Sequence, residues 1–551
     1  MGTQADWKVL FNGKVVTVDA AFSFAEAVSI CGEKIVSVGS NDQVKASAPA
    51  NAQMIDLRGK TLIPGYVDSH VHMQEISLLK SKVSLDSTRS IRELLSVIGE
   101  ACRSAGPRKW VITAKGFHPD TLQEKRMPTL EELDSVSANN PVFFVYRMRD
   151  NMVNSQALRL AGITAESPNP ENGTLGKDPE TGRLTGRLGD AASRPFKEMF
   201  PIPTDRQKQE WLKQTMRDFN QVGVTTVGDS HVTMEGLGTY AQLWTKGDMT
   251  VRARVGPSLW PWIDHGPIRT EQVELGPNGF SESIGLSSAG DAWLRVDSIK
   301  TSLDWFTTSA CMSEPYQLVP GEQEAPEYRG SLTMSRQEFL ELCRRVAQHG
   351  WRLATHAIGD AAIDAFLDVL EELDQDIPIV DKHWHLIHAT MARQDHYERI
   401  KRLGVYIPCQ FLYTYKAGAA MVKWWGSDRA NRSNPMKSFL DAGIRVGGGS
   451  DTFLSYQWNP SFMMWLDVTR QTIQAGVLGP EERLTREQSL MSHTIDAARM
   501  SDDDDKIGSI EPGKFADLAV LSDDILTCPT EEMKEIKTWM TIVDGKIVHQ
   551  I

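Results

Sequence analysis

The chain has 551 residues, 41% hydrophobic and 24% charged, the composition of a folded globular protein and too apolar for a disordered one. Its 59 Lys and Arg against 72 Asp and Glu leave a net charge of −13, which argues against a nucleic-acid partner, because that affinity comes from clustered cations. Six cysteines without a C-x-x-C pair, a first segment without an apolar signal core, and no apolar run of about 18 residues predict a cytoplasmic protein without a membrane span.

Residues 1–62 hold short β-branched runs at 9–11, 13–18 and 34–39, punctuated by Asn-Gly and Gly. Residues 505–551 repeat the pattern at 517–521 and 541–548. The two ends, 1–62 plus 505–551, are expected to pair into one small β-sandwich domain. Between them, residues 63–504 alternate apolar strands with helical stretches. Strands are predicted at 66–72, 224–229, 251–257, 295–301, 352–356, 384–388, 405–409 and 445–451. One clear helical stripe runs through Ile363, Phe366, Leu367, Leu370 and Leu373. The pattern predicts an α/β fold, a closed (β/α)8 TIM barrel. About 150 residues separate the first two strands, too many for one βα unit. They carry strands of their own at 110–113 and 142–146 and a Pro/Gly/Asn-rich stretch at 168–189. This points to an inserted subdomain, 75–195, overhanging the C-terminal mouth of the barrel.

His70 and His72 alternate at the end of the first strand, so both side chains share a face and can grip one metal ion. His356, His388 and Asp451 end the fifth, sixth and eighth strands, and Lys300 closes the fourth. Singly, each has an ordinary use as a core histidine, a helix N-cap or a snorkelling lysine. Jointly, at one end of consecutive strands, they call for a divalent metal, zinc by ligand preference.

With these residues the chain resembles the metal-dependent amidohydrolase superfamily, and within it the amidohydrolase-3 group of YtcJ-like proteins and N-substituted formamide deformylases. The likeness runs through Asn12–Val18, the His70/His72 pair, Pro128-Thr129 with Leu133-Asp134, Val153-Asn154-Ser155, Gly223-Val224-Thr225-Thr226, Lys300 with Asp304, His356–Asp360, Gly449-Ser450-Asp451 and Gly508–Lys514 with Ala516-Asp517-Leu518. The resemblance implies that His70, His72 and Asp451 bind one metal and that His356 and His388 bind a second. Lys300 would bridge the two as its carbamate, with Asp451 as general base and then acid. Lys300 could instead remain an amine paired with Asp304, leaving one metal. A homodimer is a further expectation from the group.

Departures from the group's pattern bear on substrate. Asp304 is followed by Trp305 and Phe306 where small residues are usual, which would favour a flat aromatic or apolar substrate unless the two rings pack under the insertion. Arg149 stands where the group has a histidine, and could hold a carboxylate or pair with a surface acid. Ile387 replaces a frequent glutamate. Trp424 could line the pocket or pack beneath a lid. The acidic run Asp502–Lys506 (DDDDK) is read as a solvated turn.

The expected activity is hydrolysis of a linear C–N bond, an amide or an N-acyl or N-formyl amine, in a small molecule. Ester or lactone hydrolysis, deamination and metal-assisted decarboxylation would use the same ligands. A deaminase would want a glutamate soon after His356, where this chain has Ala357-Ile358-Gly359-Asp360. A non-catalytic scaffold would have lost ligands, yet all six positions are filled.

Overall fold

A computed structural model describes residues 6–85, 87–114, 119, 122–146, 150–258, 290–319, 327–452 and 458–551. The chain divides into two compact units, one of residues 1–73, 213–451 and 457–551, the other of residues 74–212 and 452–456.

In the first unit the chain ends meet. Thr61–Pro64 pairs antiparallel with Leu518–Leu521, which joins early and late segments in a six-stranded sheet. A four-stranded sheet, ordered Lys34–Gly39, Ala27–Cys31, Trp7–Phe11 and Gln53–Asp56, shares its core. Leu10, Val28 and Ile30 of one sheet and Leu62, Val520 and Ile542 of the other belong to a single buried cluster.

The middle of this unit is a parallel α/β arrangement. The described strands are Tyr66–Val71, Val224–Val232, Arg252–Pro257, a fourth split into Leu294–Val296 and Ser298–Ser302, then Arg352–Ala357, His385–His388, Ile407–Cys409 and Val446–Gly448. Their interiors are mostly buried, as parallel strands covered on both faces must be. The helix Asp360–Asp374 lays Ile363, Phe366, Leu367, Leu370 and Leu373, all fully buried, in one cluster with Phe339 and Val346 of the helix Arg336–Gln348 and with strand residues Ile299, Leu353 and Leu386.

The expected closed ladder is not formed among the described strands. They make sheets of four, three and two strands. Single bridges, Ser258 with Lys300 and His385 with Tyr406, link neighbouring sheets. The ladder breaks at Asp297, whose carboxylate takes Arg295 and Arg352. Between the last and first strands the link is one side-chain and one main-chain bond: Ser69 Oγ donates to the Gly447 carbonyl at 3.1 Å, and Asp451 N donates to the His70 carbonyl at 2.8 Å.

The 502–506 run is the solvated turn its composition suggests except at its second residue. The Asp503 side chain is only 2% exposed, with its oxygens 2.5 Å from Arg254 Nε and 3.1 Å from Arg295 Nη1. Asp502 pairs with Arg352 and, at 2.9 Å, with His383. Asp504, Asp505 and Lys506 face water. Strand arginines drawn out of water need counter-charges, and the acidic run supplies them.

In the second unit a five-stranded sheet runs Gly173–Lys177, Leu184–Asp190, Asp150–Val153, Val142–Val145, Val111–Ile112. Val142 and Phe144 face one buried cluster with Leu94 and Ile98 of the helix Ile91–Ala105, and Phe143 faces another with Phe196, the period-two alternation of a strand. Among the described residues no helix is long and apolar enough to cross a membrane.

Candidate metal centre

The C-terminal ends of the parallel strands bring the predicted residues together. Asp451 Oδ1 stands 3.4 Å from His70 Nε2 and 3.1 Å from His72 Nε2. The eighth strand comes this close because it ends in glycine: a Cβ on Gly449 would lie 2.8 Å from the His70 nitrogen and 3.0 Å from its carbonyl oxygen. Asp451 itself has φ 47°, a left-handed backbone that non-glycine residues rarely hold without functional cause. Beneath it, buried Asp68 accepts from Ser450 N at 2.9 Å and His70 N at 3.2 Å, tying the two strand ends. Burial outweighs these bonds and pushes the Asp68 carboxyl up to about 6.

His356 and His388, both buried, complete the group. Ring centroids lie 4.5 Å apart for His356 and His388 and 5.4 Å apart for His70 and His388, each pair nearly perpendicular. His70, His388 and Asp451 each place a donor atom within 4.8 Å of the others. Lys300 is buried beside them. Burial, with Lys300 adding to it, holds His70 and His356 well below the usual imidazole range and brings His388 to about 4. Burial also draws the Lys300 ammonium down to about 7 against the attraction of Asp451. Burial alone would raise Asp451, yet the imidazoles of His70, His72 and His388 beside it hold its carboxyl far below the ordinary value.

The donor set suits a metal. His72 Nδ1 lies 2.6 Å from the Ser230 carbonyl oxygen, which can only accept, so the imidazole proton sits on Nδ1. Its Nε2 faces a carboxylate oxygen at 3.1 Å, a contact that a second proton on the ring or a metal ion between the two would satisfy. Among the described residues, His70 Nδ1 and Nε2 and His356 Nε2 are buried without a hydrogen-bond partner, a cost of about 1–3 kcal/mol for each group. Imidazole nitrogens converging on a carboxylate oxygen are the ligand chemistry of a divalent transition ion.

The remaining predicted residues sort differently. Trp305 and Phe306 reach the site, their rings 6.3 and 5.9 Å from His356 and stacked on each other at 6.1 Å. Asp304 is fully buried, with its carboxylate filled by the main-chain N–H groups of Ile358, Gly359 and Cys311 at 2.8–2.9 Å. It is a loop anchor behind His356 and has no surface to offer a substrate. Trp424 borders the apolar cluster of Met312, Tyr316, Met391 and Trp425, which Phe306 and Tyr413 also border. Arg149 lies outside the described residues.

Two residues escaped the sequence reading. His231, near the end of the second strand, sets its ring perpendicular to His72 at 6.1 Å, with Nδ1 3.0 Å from Ser258 Oγ and φ 73°. Gln410, after the seventh strand, lies 2.6 Å from His388 Nδ1. His231 could have been found by its place at a strand end; an uncharged glutamine gives no signal.

Comparisons with known proteins agree with this geometry. A model of the amidohydrolase family matches residues 53–549. The chain is 31% identical to an N-substituted formamide deformylase of Arthrobacter pascens over 561 residues, covering 100% of this chain and 99% of the relative. It is 25% identical over 532 residues to the putative amidohydrolase YtcJ of Bacillus subtilis (strain 168), covering 95% and 96%. A crystal structure of an uncharacterized metal-dependent hydrolase from Pyrococcus horikoshii OT3 matches with a TM-score of 0.75 at 22% identity, over 96% of this chain and 99% of that one. That likeness identifies the fold as α/β of the TIM-barrel type. The chain belongs to the amidohydrolase family and is a hydrolase acting on carbon–nitrogen bonds other than peptide bonds.

Proposed function

We propose that the chain hydrolyses a linear amide, N-acyl or N-formyl amine of an aromatic or apolar small molecule, at a centre of one or two divalent ions, zinc by ligand preference. The observation that carries this reading is the convergence of imidazole nitrogens of His70 and His72 on the single carboxylate of Asp451. His70, His72 and Asp451 would hold one ion, and His356 and His388 a second. Lys300 would bridge them as a carbamate; with its ammonium drawn to about 7, much of it is the neutral amine that adds to carbon dioxide with loss of a proton. When bound, such ions lower the pKa of water toward about 7 and polarise a carbonyl.

The residues of the chain then divide the work. Asp451 accepts the proton released as water attacks the acyl carbon. It delivers that proton to the nitrogen as the C–N bond breaks, so the amine leaves neutral. Trp305 and Phe306, standing against His356 with Tyr413 behind Phe306, give one wall a flat apolar face, which favours an aromatic or aliphatic group beside the scissile bond. Residues 63–504 would be the catalytic barrel, with 75–195 inserted in it and a β-sandwich domain of 1–62 plus 505–551. The six cysteines are free thiols, in keeping with a reducing, cytoplasmic setting.

Metal analysis of protein purified without chelator, beside a His70→Ala control, tests the reading. Close to two equivalents in the wild type, reduced in the variant, with release of amine from N-formyl or N-acyl aromatic amines, supports it. One equivalent with ammonia release would turn the assignment toward a deaminase. No metal after reconstitution would overturn it.

A further inference from the structure

Gln410 stands where the strand Ile407–Cys409 gives way to the helix Phe411–Trp425. It occupies the helix N-cap, where a side chain ordinarily accepts from first-turn N–H groups, yet its side chain makes no capping bond. Instead its Oε1 lies 2.6 Å from His388 Nδ1. The residue is fully buried, and its Nε2 has no hydrogen-bond partner among the described residues. A buried donor left without an acceptor costs about 1–3 kcal/mol, so packing alone would place leucine or methionine here. Among the described residues, the contact that justifies an amide is the one with His388.

A neutral imidazole carries a single proton. With Oε1 as acceptor, that proton is fixed on Nδ1, and the Nε2 lone pair turns away from Gln410. His72 is arranged the same way, its Nδ1 proton given to the Ser230 carbonyl. Histidines from the first and sixth strands thus share one tautomer, set by the main chain in one case and by a side chain in the other. The His388 backbone, at φ 73°, has few conformations to fall back on, so a ring fixed at Nδ1 has little freedom left.

We infer that Gln410 is a positioning residue of the metal centre, selecting the His388 tautomer whose Nε2 is available to a metal ion and holding that ring in place. The inference rests on the reading of His388 as a ligand. Where a histidine ligates through one nitrogen, the partner of the other commonly sets tautomer and orientation, and its loss costs about 10- to 100-fold in affinity.

The test titrates metal-free protein with Zn2+, and with Co2+ for its visible spectrum, in the wild type, Gln410→Leu and Gln410→Glu. Gln410→Leu is expected to bind metal about 10- to 100-fold more weakly and to shift the Co2+ spectrum. Its metal-free melting temperature should change little, because the unpartnered amide is gone while the His388 Nδ1 proton loses its acceptor. Gln410→Glu keeps an acceptor for Nδ1 and should restore affinity and spectrum toward wild type. Should the leucine variant fail to fold, Gln410→Met carries the same comparison. Wild-type affinity in the apolar variant, or equal loss in both variants, overturns the inference while leaving the metal centre standing. A wild type that binds neither ion overturns the ligand reading itself.

Discussion

At Asp451, one substitution separates holding a metal from moving a proton. An asparagine in its place would keep the size of the side chain and one oxygen toward His70 and His72, but could not accept a proton from water. Asp451→Asn should therefore lower kcat by about 10²- to 10⁴-fold with metal content little changed, as elemental analysis and initial rates together would show. Near-normal turnover would remove Asp451 from the proton path. The carboxylate, the histidines and Lys300 were legible in the sequence because metal chemistry demands few residue types at strand ends. What was not legible is what holds them. The carbonyl of Ser230 under His72 is main chain, and every residue has one; Gln410 is one polar residue among many until the fold sets it beside His388.

At the scale of the element, the last strand shows how composition becomes placement. Gly447-Gly448-Gly449 looks like a weak strand by propensity, yet the absence of side chains lets Asp451 meet the first strand. Gly449→Ala would drive a Cβ to 2.8 Å from the His70 nitrogen and 3.1 Å from Asp68 Oδ1. It should cost about 1–3 kcal/mol and loosen metal binding together with stability, readable as a lower melting temperature and a weaker Zn2+ titration. An unchanged affinity would mean that strand spacing does not govern the centre. The parallel strands were predictable because burial on both faces leaves short apolar runs. The hairpin Gly173–Lys177 with Leu184–Asp190 was not: its strands are rich in glycine and charge, and Leu175 and Leu188 are their only buried large side chains. Nor could composition show that the ladder breaks at Asp297, whose carboxylate takes one arginine from its own strand, Arg295, and one, Arg352, from the next.

Across the whole molecule, buried charge joins segments far apart in sequence. Arg252 takes Asp517 at 2.6 Å and Asp544 at 3.0 Å, fastening a parallel strand to the C-terminal sheet. At Asp297, burial would raise the carboxyl, but Arg352, Arg295 and His385 outweigh it and hold it well below the ordinary value. A carboxyl depressed in the folded state stabilises above its unfolded pKa of about 3.9 and loses that contribution as pH falls through the folded value. Wild type should therefore lose stability below about pH 4. Asp297→Asn should cost about 3 kcal/mol or more at pH 7 and show a shallower acid dependence in melting temperature. Equal slopes would place the acid sensitivity elsewhere.

Four aspartates and a lysine in a row, followed by isoleucine, form a cleavage signal that a highly selective protease reads in extended chains. Here the second aspartate is locked to Arg254 and Arg295, and Ile507 is buried, so the bond after Lys506 can be cut only when this corner of the fold opens. The protein thus carries a built-in clock for local opening. Where reclosing is fast, the nicking rate tracks the open population, and it should climb when Arg254→Met removes one of the two arginines that hold Asp503, well before the chain as a whole unfolds.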